Sequence, residues 1–203
     1  ILDQLCAPLC EALIDRPGSQ AFLDQLARAN MFLIPLDDER RWYRYHHLFA
    51  DMLANRLRLS TPEKLTGLHM AASHWYEGAG LSDEAIRHAL SAHDYDRAAY
   101  LLREGHLHVM YTRHLSTLGR WLAAFPETVI RSDPWLGIVR MHQMWSTGQR
   151  EGLGERALEA QAALRDKCAS GAMSEMDHDY IWLWGETLSF LALSKLQVDP
   201  AAA

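Results

Sequence analysis

Arg41-Trp42-Tyr43-Arg44-Tyr45-His46-His47-Leu48-Phe49-Ala50-Asp51-Met52-Leu53 decides how this chain is read. Its first half alternates aromatic and other side chains, the period of a half-buried strand, and its second half returns to helical spacing. A short apolar run, Met31 to Leu36, comes before it, and the turn-forming Asp37-Asp38-Glu39-Arg40 lies between the two. Two strands around an acidic turn, flanked by helices, describe the wing of a winged helix.

Working outward, apolar residues at positions 1, 2, 5, 9 and 13 predict a helix over Ile1 to Ile14. Arg16-Pro17-Gly18-Ser19 breaks it, and Ser19 is the expected N-cap of a second helix to about Asn30. A third helix is expected over Leu48 to Leu59. The order helix, helix, strand, strand, helix gives a winged helix over residues 1–59 that lacks its first helix. Ser60-Thr61-Pro62-Glu63 is a helix start signal, with Pro62 suited to the first turn. Residues 60–203 then read as helices throughout: Glu63 to Glu77, Ser82 to Ala92 with a capping-box-like start, Asp94 to Arg103, Leu107 to Phe125, Asp133 to Thr147, Gly152 to Cys168 and Met173 to Gln197.

The small and large residues of Glu84-Ala85-Ile86, Ala89-Leu90, Asp94-Tyr95, Ala98-Ala99 and Leu101-Leu102 sit where paired helices must approach closely, as in tetratricopeptide repeats. A weaker echo at Trp145 to Leu158 falls out of register with a 34-residue period, so the hairpins are irregular. The expected fold class is mainly α: a small winged helix with two short antiparallel strands, then an all-α array of tetratricopeptide-like hairpins.

The 203 residues are 49% hydrophobic and 23% charged, an ordinary globular composition that suits one domain or two small ones. The chain opens at Ile1 rather than Met, and it is expected to be an excerpt of something longer. Neither a membrane span nor a signal peptide is expected, and three cysteines without a framework suit a reducing cytoplasm. A net charge of -6 argues against nucleic-acid binding by this piece alone, because affinity for phosphates rests on Lys and Arg.

No G-x-x-x-x-G-K-[ST] loop and no G-x-S-x-G elbow occurs, so neither ATP hydrolysis nor other catalysis is expected of the chain itself. Cys6 and Cys10 are four apart, but further zinc ligands are missing nearby, and they read as core residues. His69 and His74 lack the H-E-x-x-H pattern, and His93-Asp94 falls in an expected turn, so no metal site is expected. On the residues alone, one of His46 and His47 packs under the wing and the other faces solvent. Of seven tryptophans, Trp182 and Trp184 lie two apart on a helix and cannot face one core. One of them is expected to need a cover from outside.

The segment Trp42-Tyr43-Arg44-Tyr45-His46-His47-Leu48-Phe49, with Ala29 to Asp38 leading into it, resembles the MalT-like regulators, LuxR-type transcriptional activators that are signal-transduction ATPases with numerous domains. The resemblance continues through His69, Ala72, Trp75-Tyr76 and Gly80 to Glu84-Ala85-Ile86 and His88-Ala89-Leu90, and becomes diffuse after Pro134-Trp135-Leu136. It implies the regulatory middle of a cytoplasmic activator. On that resemblance residues 1–59 are the winged-helix part of the nucleotide switch and 60–203 the helical arm and the start of a tetratricopeptide-like sensor region. The nucleotide-binding domain, the rest of the sensor and the LuxR-type DNA-binding domain would lie outside this chain, and ATP or ADP would be bound by the full-length protein and not here. Its implied partners are those missing domains, an inducer or regulatory protein, and further copies on activation. In related switch ATPases a Met-His-Asp-Leu-Leu-like motif stands here, and its His touches the β-phosphate of ADP in the resting state. On that pattern Tyr45 takes the Met position, His46 the His, His47 the Asp, and Leu48 and Phe49 the two Leu. The resemblance thus makes His46 the candidate nucleotide contact, whereas His47 stands where the family more often has Pro. Two other classes stay open: a helical repeat adaptor without a nucleotide switch, and an enzyme with a helical active site.

Overall fold

The computed structural model describes residues 1–111 and 115–196. It is mainly helical, with one two-stranded antiparallel sheet near the start, and the chain divides into two compact units, Ile1–Leu101 and Leu102–Ala203.

In the first unit α1 (Ala7–Ile14) and α2 (Ser19–Arg28) precede β1 (Leu33–Pro35), β2 (Tyr43–Tyr45) and α3 (His47–Ser60). The strands pair in the register Leu33 to Tyr45, Ile34 to Arg44 and Pro35 to Tyr43. Asp37 shapes the tip of the hairpin: one carboxylate oxygen accepts the Arg41 N–H at 2.7 Å and the other the Trp42 N–H at 3.1 Å. The strand alternation is legible in burial, since Tyr43 is fully buried, Arg44 exposed and Tyr45 half-buried.

The helix expected over Ile1 to Ile14 begins only at Ala7, with Pro8 in its first turn. The residues before it are extended. Leu5 pairs with Tyr43 through two backbone hydrogen bonds of 2.7 and 2.8 Å, which adds a bridge to the outer edge of β2. Nor is Ser19 the cap of α2. Gly18, at φ 90°, holds the N-cap position, and the Glu11 carboxylate of α1 accepts the N–H groups of Gly18 and Ser19 at 2.9 and 3.0 Å. The winged-helix core is Leu5, Ala7, Leu23, Leu33 and Tyr43.

After a 3₁₀ turn at Pro62–Lys64, α4 (Leu65–Gly78) and α5 (Ser82–Ser91) form a hairpin in the same unit, and α1 packs on α4. Ser82 is the first helical residue rather than a side-chain cap, which leaves its expected capping box unformed. Ala72, Ser73, Ala85 and Ala89 are fully buried, and the Ser73 hydroxyl donates to the Ala85 carbonyl at 2.8 Å. Small side chains here permit close helix approach. From α6 (Tyr95–Tyr111) the Arg97 guanidinium reaches α4, donating to the Ser73 Oγ at 2.9 Å and to the Glu77 carboxylate at 2.7 Å.

The division between the units falls within α6, which runs on where the sequence suggested a break near Arg103. The second unit contains α7 (Leu115–Ala124), the unforeseen short α8 (Glu127–Ser132), α9 (Pro134–Ser146), α10 (Leu153–Ala169) and α11 (His178–Leu196). Gln197, the expected end of the last helix, lies outside the described residues. Gly137 of α9 lets α10 come close: a Cβ there would sit 3.4 Å from that of Ala160. Trp182 and Trp184 both find neighbours within this unit, Trp182 against Trp135 at 5.9 Å and Trp184 between the Tyr180 ring and the Arg165 guanidinium.

Asp133 caps α9, accepting the N–H groups of Trp135 and Leu136 at 2.9 and 3.1 Å, and its other oxygen meets Lys167 at 3.4 Å. Asp133→Ala should lower stability by about 1–2 kcal/mol, while Asp133→Asn, which keeps a capping oxygen, should lose less. Urea unfolding of the two variants compares them; equal losses would show that the ion pair, not the cap, is what matters.

Candidate functional site

The junction of β2 and α3 holds the histidines singled out by the sequence. His46 is the N-cap residue of α3, and its conformation is fixed by the backbone. Its N–H donates to the Phe32 carbonyl at 2.8 Å, and its own carbonyl accepts from Phe49 and Ala50 at 2.9 and 3.0 Å. Phe32 takes a left-handed φ of 56° to present that carbonyl, and its ring packs on Phe49 at 5.0 Å. Tyr45 also packs on Phe49, at 5.5 Å.

With the backbone so held, the His46 side chain makes no capping hydrogen bond and stays exposed. His47 is exposed as well, the two rings 4.4 Å apart, so neither packs under the wing as the residues alone had suggested. The first N–H groups of a 14-residue helix point the same way, and their summed dipole favours an anion. Exposed Arg44, two residues before His46 on β2, adds positive charge to this end. An imidazole beside a helix N-terminus can donate to phosphate or carboxylate oxygens.

Large apolar side chains surround this end while facing solvent: Phe32 is 57% exposed, Leu48 67% and Met52 52%, and α3 buries none of its residues. Exposed apolar side chains gathered in one region mark an interaction surface more often than a free one.

The cysteines behave differently. Cys6 is buried at the N-cap of α1 and Cys10 half-buried one turn on; burial pushes both thiols up, Cys10 to about 11. They are inert core groups at neutral pH. Among the described residues no three His, Cys, Asp or Glu side chains are gathered to hold a metal ion, and no helix is long and apolar enough to cross a membrane.

One histidine pair escaped the sequence reading. His69 of α4 and buried His88 of α5 meet Nδ1 to Nδ1 at 2.8 Å, with Tyr76 stacked on His88 at 5.3 Å. Burial pushes His88 down to about 3, helped by the positive charge of Arg87. Within-helix spacing, the signal used for His69 and His74, carries no information about a pair 19 residues apart.

The family described as the MalT winged helix domain matches residues 1–65. The serine/threonine-protein kinase PknK of Mycobacterium tuberculosis is 29% identical over 132 residues, 65% of this chain and 12% of the kinase. The HTH-type transcriptional regulator MalT of Vibrio cholerae is 33% identical over 104 residues, 51% of this chain and 12% of the regulator. MalT of Serratia proteamaculans is 27% identical over 167 residues, 82% of this chain and 18% of the regulator. The chain therefore spans less than a fifth of these curated relatives. Residues 1–65 match the MalT winged helix domain, and the chain is distantly homologous over most of its length to the MalT regulators and to PknK.

Proposed function

We propose that this chain is the coupling segment of an ATP-dependent, MalT-type transcriptional activator. Its winged helix senses the nucleotide held by a neighbouring domain and passes that state to a helical region that responds to an inducer or regulatory protein. The observation that carries the reading is His46: an exposed imidazole on a rigid backbone, at the positive end of α3, beside uncovered apolar side chains. A nucleotide-binding domain docked on Phe32, Leu48 and Met52 would bring a phosphate within reach of His46 and the α3 N-terminus. That domain, a sensor region and a DNA-binding domain are the partners, and ATP or ADP belongs to the full-length protein. The segment performs no catalysis and contacts no nucleic acid in this scheme, in keeping with its net charge of -6. The kinase named among the relatives matches over 12% of its length, so its activity is not carried across.

In the full-length protein, His46→Ala should remove a donor to phosphate, a contact on the order of 1.5–3 kcal/mol for a charged acceptor. ADP should be weakened more than ATP, because only the closed resting form brings the wing to the nucleotide. The resting population should fall and transcription without inducer should rise. His47→Ala should do less. Calorimetry with each nucleotide and a reporter assay without inducer are the two readouts. Wild-type values in both would exclude His46 from the role and favour a helical adaptor without a nucleotide switch.

A further inference from the structure

A cavity of about 650 Å³ in the first unit opens between the wing, the extended residues before α1 and the α4–α5 hairpin. That volume lies in the range of small-molecule sites. Tyr76 is 2% exposed, its ring held edge-on by Trp75 and stacked on His88, both at 5.3 Å. Its side chain lines the cavity, yet its hydroxyl makes no hydrogen bond among the described residues. A buried tyrosine hydroxyl ordinarily finds a partner. The ring is buried but the hydroxyl is not among the buried atoms that lack a partner, so it is open to solvent at the cavity and is free to bond an occupant.

The charges on the wall define which partner fits. Asp3, Asp37, Glu84 and Arg87 line the space, three acids to one base. Arg87 is already paired with Asp3 at 2.8 Å, and Asp37 is engaged by the backbone of the wing tip. Glu84 is half-buried and carries no ion pair or hydrogen bond among the described residues. Facing them is the indole of Trp42, itself braced by Trp75 at 6.2 Å. An unpaired carboxylate, an unpartnered hydroxyl and an indole form a complement to a cation that carries N–H donors. An anionic ligand would meet excess negative charge and find its one cation taken.

We propose that this cavity binds an organic cation, an alkylammonium or guanidinium on a short hydrocarbon stem, with Glu84 as counter-charge, the Tyr76 hydroxyl as acceptor and Trp42 as aromatic wall. The site is independent of His46. Because it is built from the wing and the α4–α5 hairpin together, an occupant holds these two parts of the unit to each other. The shared chemistry admits two sources, a free amine or the basic side chain of a protein segment.

Titration of the 203-residue chain with agmatine, with cadaverine, with a Gly-Ser-Arg-Ser-Gly peptide and with neutral 1-pentanol tests it. At least one cationic probe should bind saturably with Kd of about 1 mM or tighter, a modest affinity for a small ligand, and pentanol should not. Glu84→Gln should raise that Kd roughly ten- to hundredfold and Tyr76→Phe roughly three- to tenfold. Urea unfolding should show both variants folded. Tighter binding of the peptide, abolished by replacing its Arg with Gln, identifies a protein side chain as the source; binding of the free amines alone identifies a small molecule. No saturable binding by any cation, equal binding of pentanol, or Kd values untouched in both folded variants would overturn the proposal.

Discussion

Replacing Tyr43 with Ala should cost the first unit about 3–5 kcal/mol, the usual range for truncating a fully buried aromatic side chain. This is a large share of the roughly 5–15 kcal/mol that stabilises an ordinary domain. Tyr43 is fully buried in the middle of the winged-helix core, against Leu5, Leu23 and Leu33. Its backbone pairs on both sides, with Pro35 of β1 and with Leu5 of the extended N-terminal residues. Its hydroxyl donates to Asp24 at 2.6 Å and accepts from the Gln20 amide at 3.1 Å, which ties α2 to the sheet. Removing the ring therefore opens a void where three segments meet. Tyr43→Phe separates the two contributions, since it keeps the packing and loses only the hydroxyl, at a cost of about 1 kcal/mol. The same variant has a spectroscopic signature. The Tyr43 hydrogen bond is the main cause holding the Asp24 carboxyl below the usual range, so in Tyr43→Phe that carboxyl should titrate nearer its ordinary value. Urea unfolding checks the first part and carboxyl-detected NMR the second. A Tyr43→Ala chain that unfolds within about 1 kcal/mol of the parent, below the whole range for such truncations, would show that the wing is not built around this residue.

Tyr43 also shows why part of this fold could be read in advance. Its alternation with Arg44 and Tyr45, across an acidic turn from an apolar run, is a local signal, and the observed strands fall inside the segments it marked. The start of the chain carried a conflicting signal. Apolar residues at 1, 2, 5 and 9 fit a helix, but Leu5 is drawn into pairing with Tyr43, a contact 38 positions away that no local pattern encodes. The Glu11 carboxylate that caps α2 is a similar case: Ser19 looked sufficient, and the group that serves comes from the preceding helix. Helix α8 spans six residues, too few for periodicity to register. His46 stood out only through family resemblance, because a lone exposed histidine has no local signature; its place as the N-cap of α3 came from the structure. The cavity was invisible for a further reason. Trp42 lies just before β2, Tyr76 on α4 and Glu84 on α5, and sequence spacing says nothing about their meeting.

Acid should loosen the first unit through His88, before most carboxylates are protonated. His88 is 1% exposed, its Nδ1 lies 2.8 Å from that of His69, and its Nε2 has no partner. One ring must donate and the other accept, so at least one of them needs to be neutral. Protonating His88 would put a charge into an apolar site and leave its buried Nε2–H donor unpaired. This is why burial, with Arg87 and His69 adding to it, pushes His88 down to about 3. His69 is lowered too, burial again the main cause. The unfolded chain takes up protons near the ordinary histidine value, about 6.5, and the folded chain does not. Stability from the neutral pair is thus fully present above that value and is lost as pH falls from there towards 3. Allowing for the solvent that reaches His69, the loss should be on the order of 2–3 kcal/mol. In His88→Leu, an apolar side chain fills the site, and of the pair only the partly solvated His69 still titrates. The variant should fold at neutral pH, and its stability should decline less than the parent's between about pH 6.5 and 4, the window below the ordinary histidine value. Urea midpoints at a series of pH values give the two slopes, and carboxylates elsewhere cancel in the comparison. Parallel slopes would mean that the pair takes up its proton in the folded chain as readily as in the unfolded one, and that the contact between α4 and α5 tolerates the charge.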